Sequence, residues 1–158
     1  NWLHNISEIK NITDIRKVSY NLIRRCLRKT NNTKYNEYIP LIIKIITGIT
    51  PPQLTEEEYS STLKYFNKVV NIFEQIKPKD KSNCPYHPHF FRKILEQNCI
   101  LPENNEKQLE RKRKILSNIH IQSDNTLKRR DIIWKNICER IEVFHYSPTD
   151  KNKYKINY

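Results

Sequence analysis

Apolar residues along this chain recur mostly every three or four positions, and that spacing predicts helices almost throughout. Ile15, Val18, Leu22 and Cys26 are spaced 3, 4 and 4, behind a Thr13 placed to cap them. From Ile39 to Ile46 only Pro40 and Lys44 interrupt an apolar run. It predicts a central helix buried most of the way round, with Pro40 tolerated in its first turn and Gly48 ending it. Thr55 and Glu58 form a capping box that opens the longest helix, with Tyr59, Leu63, Phe66, Val70 and Phe73 inward. Pro78 to Pro88 breaks the pattern and reads as a loop, followed by a short helix from about His89 to Gln97. Lys107 to Lys114 predicts a weakly amphipathic helix. A last helix is capped by Asp124 or Asn125 and turns Ile133, Trp134, Ile137 and Ile141 inward, with Val143, Phe144 and Tyr146 anchoring its exit. No segment alternates as a strand would.

The expected architecture is all-α, a single compact domain of about six helices over residues 1–146. Leu22, Ile42, Ile45, Phe66, Phe73, Phe91, Trp134 and Ile137 are its expected core. Ser147 to Tyr158 is polar and without periodicity, and is expected to be a loosely held tail.

Composition changes this picture in two ways. Across 158 residues the net charge is +12 and the pI about 9.6, which favours a polyanionic partner, nucleic acid or an acidic protein face. There is a single glycine, Gly48. Phosphate-cradling loops, nucleophile elbows and dinucleotide turns need several, so those enzyme classes are disfavoured. Four cysteines, Cys26, Cys84, Cys99 and Cys138, are widely spaced, as reduced thiols would be rather than a disulfide framework. No apolar run approaches the ~18 residues of a membrane span. With no methionine and no signal peptide, the chain is expected to be a domain cut from a longer protein.

The basic residues fall into groups. At ~100° per residue, Lys17, Arg24 and Arg28 project away from the first helix's apolar stripe, with Arg25 and Lys29 flanking. Lys107 to Lys114 holds five basic residues and one acid, Glu110. Lys128, Arg129, Arg130 and Lys135 lie on the last helix. The two densest groups supply the candidate nucleic-acid contacts: Lys17, Arg24 and Arg28, and Arg111, Lys112 and Arg113. No helix-turn-helix signature accompanies them, so they are read as phosphate contacts. Tyr35, Tyr38 and Tyr86 lie near element ends and are the aromatics expected to be exposed, where bases could stack.

Cys84, His87, His89 and Cys99 are the one group with zinc-ligand chemistry, although the spacing is neither C-x2-C nor H-x3-H, and a proline-rich loop with packed histidines explains it as well. Glu56, Glu57 and Glu58 sit in a first turn, where the helix dipole favours acids. No nucleophile–base pair or carboxylate cluster is visible, so no catalytic residue is assigned and no cofactor is expected beyond that zinc candidate.

Four blocks carry a family resemblance. They are Lys34-Tyr35-Asn36-Glu37-Tyr38-Ile39-Pro40; Thr47-Gly48-Ile49-Thr50-Pro51-Pro52; Pro78-Lys79-Asp80-Lys81-Ser82-Asn83; and Asp131-Ile132-Ile133-Trp134-Lys135-Asn136-Ile137-Cys138, which Ser147-Pro148-Thr149 extends. In this order they resemble the poxvirus late transcription factor 3-like proteins of large DNA viruses, over about Thr13 to Thr149. Two departures stand out: Lys77 replaces a cysteine common in the family, and His87-Pro88-His89 replaces a tyrosine-rich stretch. The family's zinc-binding segment lies before this region.

The resemblance implies a non-enzymatic factor for late viral genes that helps the viral multisubunit RNA polymerase engage late promoters. Other late transcription factors, the polymerase and duplex DNA would be its partners. It would act in cytoplasmic viral factories of the host, with the virion as a second location. A zinc element followed by a basic helical domain is also the layout of TFIIB-type, cyclin-like initiation factors, an analogy of fold alone. The alternatives are a nucleic-acid-processing enzyme such as a nuclease, or a purely protein-binding adaptor.

Overall fold

The computed structural model describes residues 18–77, 87–119, 121 and 123–154. These residues form six α-helices and one 3-10 helix, with no strand. The all-α expectation holds. The helices belong to two compact units divided between Pro52 and Gln53, each with its own apolar cluster.

In the first unit, α1 (Tyr20–Lys29) starts at Ser19, whose hydroxyl accepts the Leu22 N–H at 3.3 Å. Thr13, the expected cap, lies outside the described residues. The helix ends in a Schellman arrangement. Asn31 takes φ 56°, so its N–H reaches the Arg28 carbonyl at 3.2 Å and the Asn32 N–H reaches Leu27 at 2.7 Å. A 3-10 turn, Thr33–Tyr38, leads into α2 (Ile39–Thr47), which stops where Gly48 adopts φ 69° and donates to the Lys44 carbonyl at 2.8 Å. Val18, Ile23, Leu27, Ile39 and Ile42 form this unit's core.

Two expectations fail here. The buried stripe of α1 is Ile23, Cys26 and Leu27, with Leu22 only half-buried. And α2 is not a central helix: Ile45 is 69 % exposed and Leu41 and Ile49 are exposed as well. Within its own unit this short helix packs against α1 and the 3-10 turn, which cover one face and no more.

The second unit contains α3 (Glu56–Ile76), α4 (His87–Leu95), α5 (Glu106–Leu116) and α6 (Asp124–Cys138). The Thr55–Glu58 capping box is present, with the two bonds at 2.8 and 3.2 Å. Downstream, α3 buries Thr62, Val69, Ile72 and Phe73, while Tyr59 and Leu63 face out, contrary to the expected stripe. Thr62 can take a core position because its hydroxyl is satisfied by the Glu58 carbonyl at 2.6 Å within the helix. Phe66 and Phe91, both half-buried, stack at 4.2 Å between centroids.

Trp134 of α6 is the centre of this core, with no exposed surface. Phe90 lies 6.3 Å and Phe144 5.6 Å from it, ring to ring, and Phe144 in turn meets Tyr65 at 4.9 Å. These rings bring α3, α4, α6 and the segment after α6 onto one side chain.

Trp134→Ala is therefore expected to cost about 3–5 kcal/mol in chemical denaturation, the range for large-to-small core changes. Ile45→Ala, at an exposed position, should stay within about 0.5 kcal/mol. Equal losses would show that α2 is covered in solution.

Candidate nucleic-acid interface

The second basic group is committed to the protein itself. The Arg111 guanidinium forks onto Glu58 at 2.6 and 2.7 Å and also donates to the Gln53 carbonyl at 3.0 Å. That bond holds the Glu58 carboxyl below, and the guanidinium above, their ordinary values. Lys112, expected to point outward, is 1 % exposed. Its ammonium donates to the Glu96 carbonyl at 2.6 Å and Asn98 Oδ1 at 3.1 Å, and pairs with Glu103 at 3.3 Å. Helical projection placed it wrongly because a lysine stem is apolar and its head is satisfied inside. Arg113 stays half-exposed beside Glu106 at 3.3 Å.

Lys112 belongs to a buried ionic lattice that the sequence reading missed. Just past the end of α4, Glu96 accepts from Arg92 at 3.0 Å and Lys93 at 2.7 Å, both cations almost wholly buried. Arg92 also donates to the Leu116 carbonyl at 2.9 Å, and desolvation pulls its pKa down. Lys93 reaches the Ser147 carbonyl at 2.8 Å, and Gln97 exchanges two hydrogen bonds with the His145 backbone. Tyr154 is buried, donates to Glu103 at 3.0 Å and is pushed up to about 12 by that burial. Asp131 accepts both the Thr149 N–H at 2.8 Å and its hydroxyl at 2.6 Å. Residues 147–154 are thus strapped to the helices rather than loosely held, and residues 155–158 lie outside the described ones.

The first basic group remains at the surface. α1 carries Arg24, Arg25, Arg28 and Lys29 and no acid. Arg25 and Arg28 are exposed, and no carboxylate among the described residues pairs with either. Arg24 is half-buried, and Lys17 lies outside the described residues. After the α1 turn, Lys34 sits 5.1 Å over the Tyr35 ring, and Tyr35 and Tyr38 are exposed as expected. Tyr86 lies outside the described residues.

The third group lines the outer side of α6. Asn125, Lys128, Arg129, Ile132, Lys135 and Asn136 are all exposed, opposite the buried Leu127, Asp131, Trp134, Ile137 and Cys138.

The zinc candidates do not assemble. Cys84 lies outside the described residues, and His87, His89 and Cys99 are not gathered: no group of three or more His, Cys, Asp or Glu among the described residues could hold a metal ion. His87 is exposed, edge-on to Phe66 at 5.5 Å. His89 is buried, its pKa lowered to about 4 by desolvation, with Asp131 opposing and Lys93, Arg130 and Arg92 reinforcing the drop. Desolvation likewise raises the pKa of the Cys99 thiol.

A family model described as “Poxvirus Late Transcription Factor VLTF3 like” matches residues 3–145. The chain belongs to that family. Its relatives include the African swine fever virus “Zinc finger protein B385R”, 33 % identical over 82 % of this chain and 32 % of the relative. Two mimivirus relatives are named “Putative transcription factor R429”, 28 % identical over 74 % of this chain and 25 % of the relative, and “Putative transcription factor R430”, 26 % identical over 92 % and 52 %. The chain spans about a third of the length of the African swine fever virus relative. No solved structure matches.

The Asp131–Cys138 segment supplies the carboxylate, and Thr149 the hydroxyl and N–H, of one hydrogen-bonded pair.

Lys112→Met is expected to cost about 3 kcal/mol, because Glu103 and the Glu96 carbonyl lose a buried partner, while DNA affinity is unchanged. Denaturation and a binding titration on one sample check both. A depressed histidine gives a pH signature. Stability due to neutral His89 is complete above its unfolded value of 6.5 and is lost as pH falls toward about 4. Wild type should lose about 3 kcal/mol across that window. His89→Leu should lose clearly less, and parallel curves would place the sensitivity elsewhere.

Proposed function

We propose that this chain is a promoter-engaging helical module of a viral late transcription factor, which helps the viral RNA polymerase engage late promoters by holding duplex DNA phosphates on the outer face of α1. The observation that carries this reading is the partition of cations. On α5, Arg111 and Lys112 are spent on Glu58, the Glu96 carbonyl and Glu103, and Arg113 and Lys114 pair with Glu106 and Glu110, whereas α1 has no acid and leaves Arg25 and Arg28 exposed. Family membership supplies the transcriptional setting. Its partners would be the multisubunit polymerase and other late factors, and its place of action the cytoplasmic viral factory.

Three buried or half-buried acids have structural work that argues against a nuclease reading. Glu58 clamps Arg111, Glu96 pairs with both Arg92 and Lys93, and Asp131 holds Thr149. A metal-dependent nuclease instead gathers carboxylates in an open cleft.

Titrating duplex DNA at several salt concentrations tests the proposal. Arg25→Glu with Arg28→Glu should weaken binding to all sequences and flatten the logarithmic salt slope by about 2, since each phosphate contact contributes ~0.9. An unchanged slope in a folded variant rejects α1 as the phosphate face. No duplex binding even at low salt would favour the protein-binding adaptor.

A further inference from the structure

The outer face of α6 is not explained by packing. At ~100° per residue its exposed residues from Asn125 to Asn136 fill an arc of about 120°, and Ile132 lies near the middle of that arc, almost opposite Trp134. Ile132 is 64 % exposed. Its neighbours one helical turn away are Lys128, Arg129, Lys135 and Asn136, all exposed and none acidic. An isoleucine at the apex of a solvent face, ringed by cations and an amide, contributes little to the core behind it.

We propose that this face of α6 enters the major groove of duplex DNA, with Ile132 against thymine methyl groups and Lys128 and Lys135 on the flanking phosphates. The inference rests on the promoter-binding reading above and adds base readout to it. Three features select DNA as the occupant. Between the exposed Asp124 and Glu139 at its two ends, the face from Asn125 to Asn136 is cationic and free of carboxylates, which matches a polyanion. Lys128 and Lys135 project to the same side of the face, ~20° apart in projection and ~10.5 Å apart along the axis, so both can meet phosphates along one strand. And a helix-binding protein groove wants several apolar anchors at i, i+3, i+4 and i+7, whereas Ile132 has only polar neighbours at those offsets. Arg129 and Asn136 carry fork and amide donors of the kinds that pair with guanine and adenine edges.

The test uses a short alternating dA·dT duplex and its counterpart with deoxyuridine in place of thymidine, which differ only by the thymine methyl. The folded wild-type chain should bind the thymidine duplex roughly fourfold more tightly, the factor expected for burying one methyl group. Ile132→Ala, at an exposed position, should fold normally and bind the two duplexes equally. Lys128→Gln with Lys135→Gln should weaken both complexes and lower the salt slope by about 2, yet keep the preference for thymidine. Equal binding of the two duplexes by wild type, or a preference that survives Ile132→Ala, overturns the inference while leaving the phosphate contacts of α1 intact. Loss of polymerase binding in Ile132→Ala, with DNA affinity unchanged, also overturns it and assigns the face to a protein. Absence of all duplex binding removes the promoter-binding reading itself, a distinct result.

Discussion

Glu96 is the residue that lets the second unit close. Arg92 and Lys93 lie beside the Trp134 core with almost no exposure, and transferring two cations there is prohibitive without a counter-charge. Glu96, just past the end of α4, meets both at hydrogen-bond distance. The remaining donors of the two cations then find carbonyls on other segments, Leu116 at the end of α5 and Ser147 beyond α6. Satisfying these buried donors thus fixes where the neighbouring segments lie. Hydrophobic contact alone would tolerate several packings of these helices. A carbonyl that must meet a buried ammonium tolerates few.

The fold was legible wherever an apolar stripe does the burying. Phe73, Trp134 and Ile137 follow helical spacing and are buried, and the capping box, the Gly48 stop and the helix count were all readable from residue type. It was illegible where a polar side chain takes a core position. Thr62, Lys93 and Lys112 count as outward in any hydropathy pattern, yet Thr62 satisfies its hydroxyl within its own helix, and the two lysines meet carbonyls that spacing cannot reveal. The opposite error befell α2, whose apolar run was read as a buried core helix although Leu41 and Ile45 are exposed. Continuous hydrophobicity reports what a helix can bury and leaves open which faces find a partner.

The candidate site followed the same division. A net charge of +12 suggested a polyanion partner, but charge counted along the chain does not distinguish a cation that faces solvent from one that is used internally. Arg111 and Lys112 sit in the densest basic run and are consumed by glutamates distant in sequence, the first by Glu58. Arg28, in a helix without acids, stays exposed. The α6 face was readable in principle, since Ile132 and Trp134 belong to the same motif and project to opposite sides of one helix. Its cations, Lys128, Arg129 and Lys135, stand out along the chain, whereas Ile132 is hidden there because an isoleucine beside Trp134 reads as core by type alone.

The buried lattice also bears on how α6 presents its outer side. The inner side of this helix is held by the Trp134 rings and by the Asp131–Thr149 pair, which ties it to the strap of residues 147–154. The strap is in turn anchored through Lys93 and Tyr154. A helix fixed along its inner face cannot roll or slide without breaking charged hydrogen bonds in a low-dielectric interior. Its exposed residues therefore keep one arrangement in space. Binding through such a face requires little ordering of backbone, so a larger share of each contact appears as affinity. In the proposed mode of binding, the charges that vanish into the core would serve indirectly, because they hold rigid the helix on which other charges remain outside.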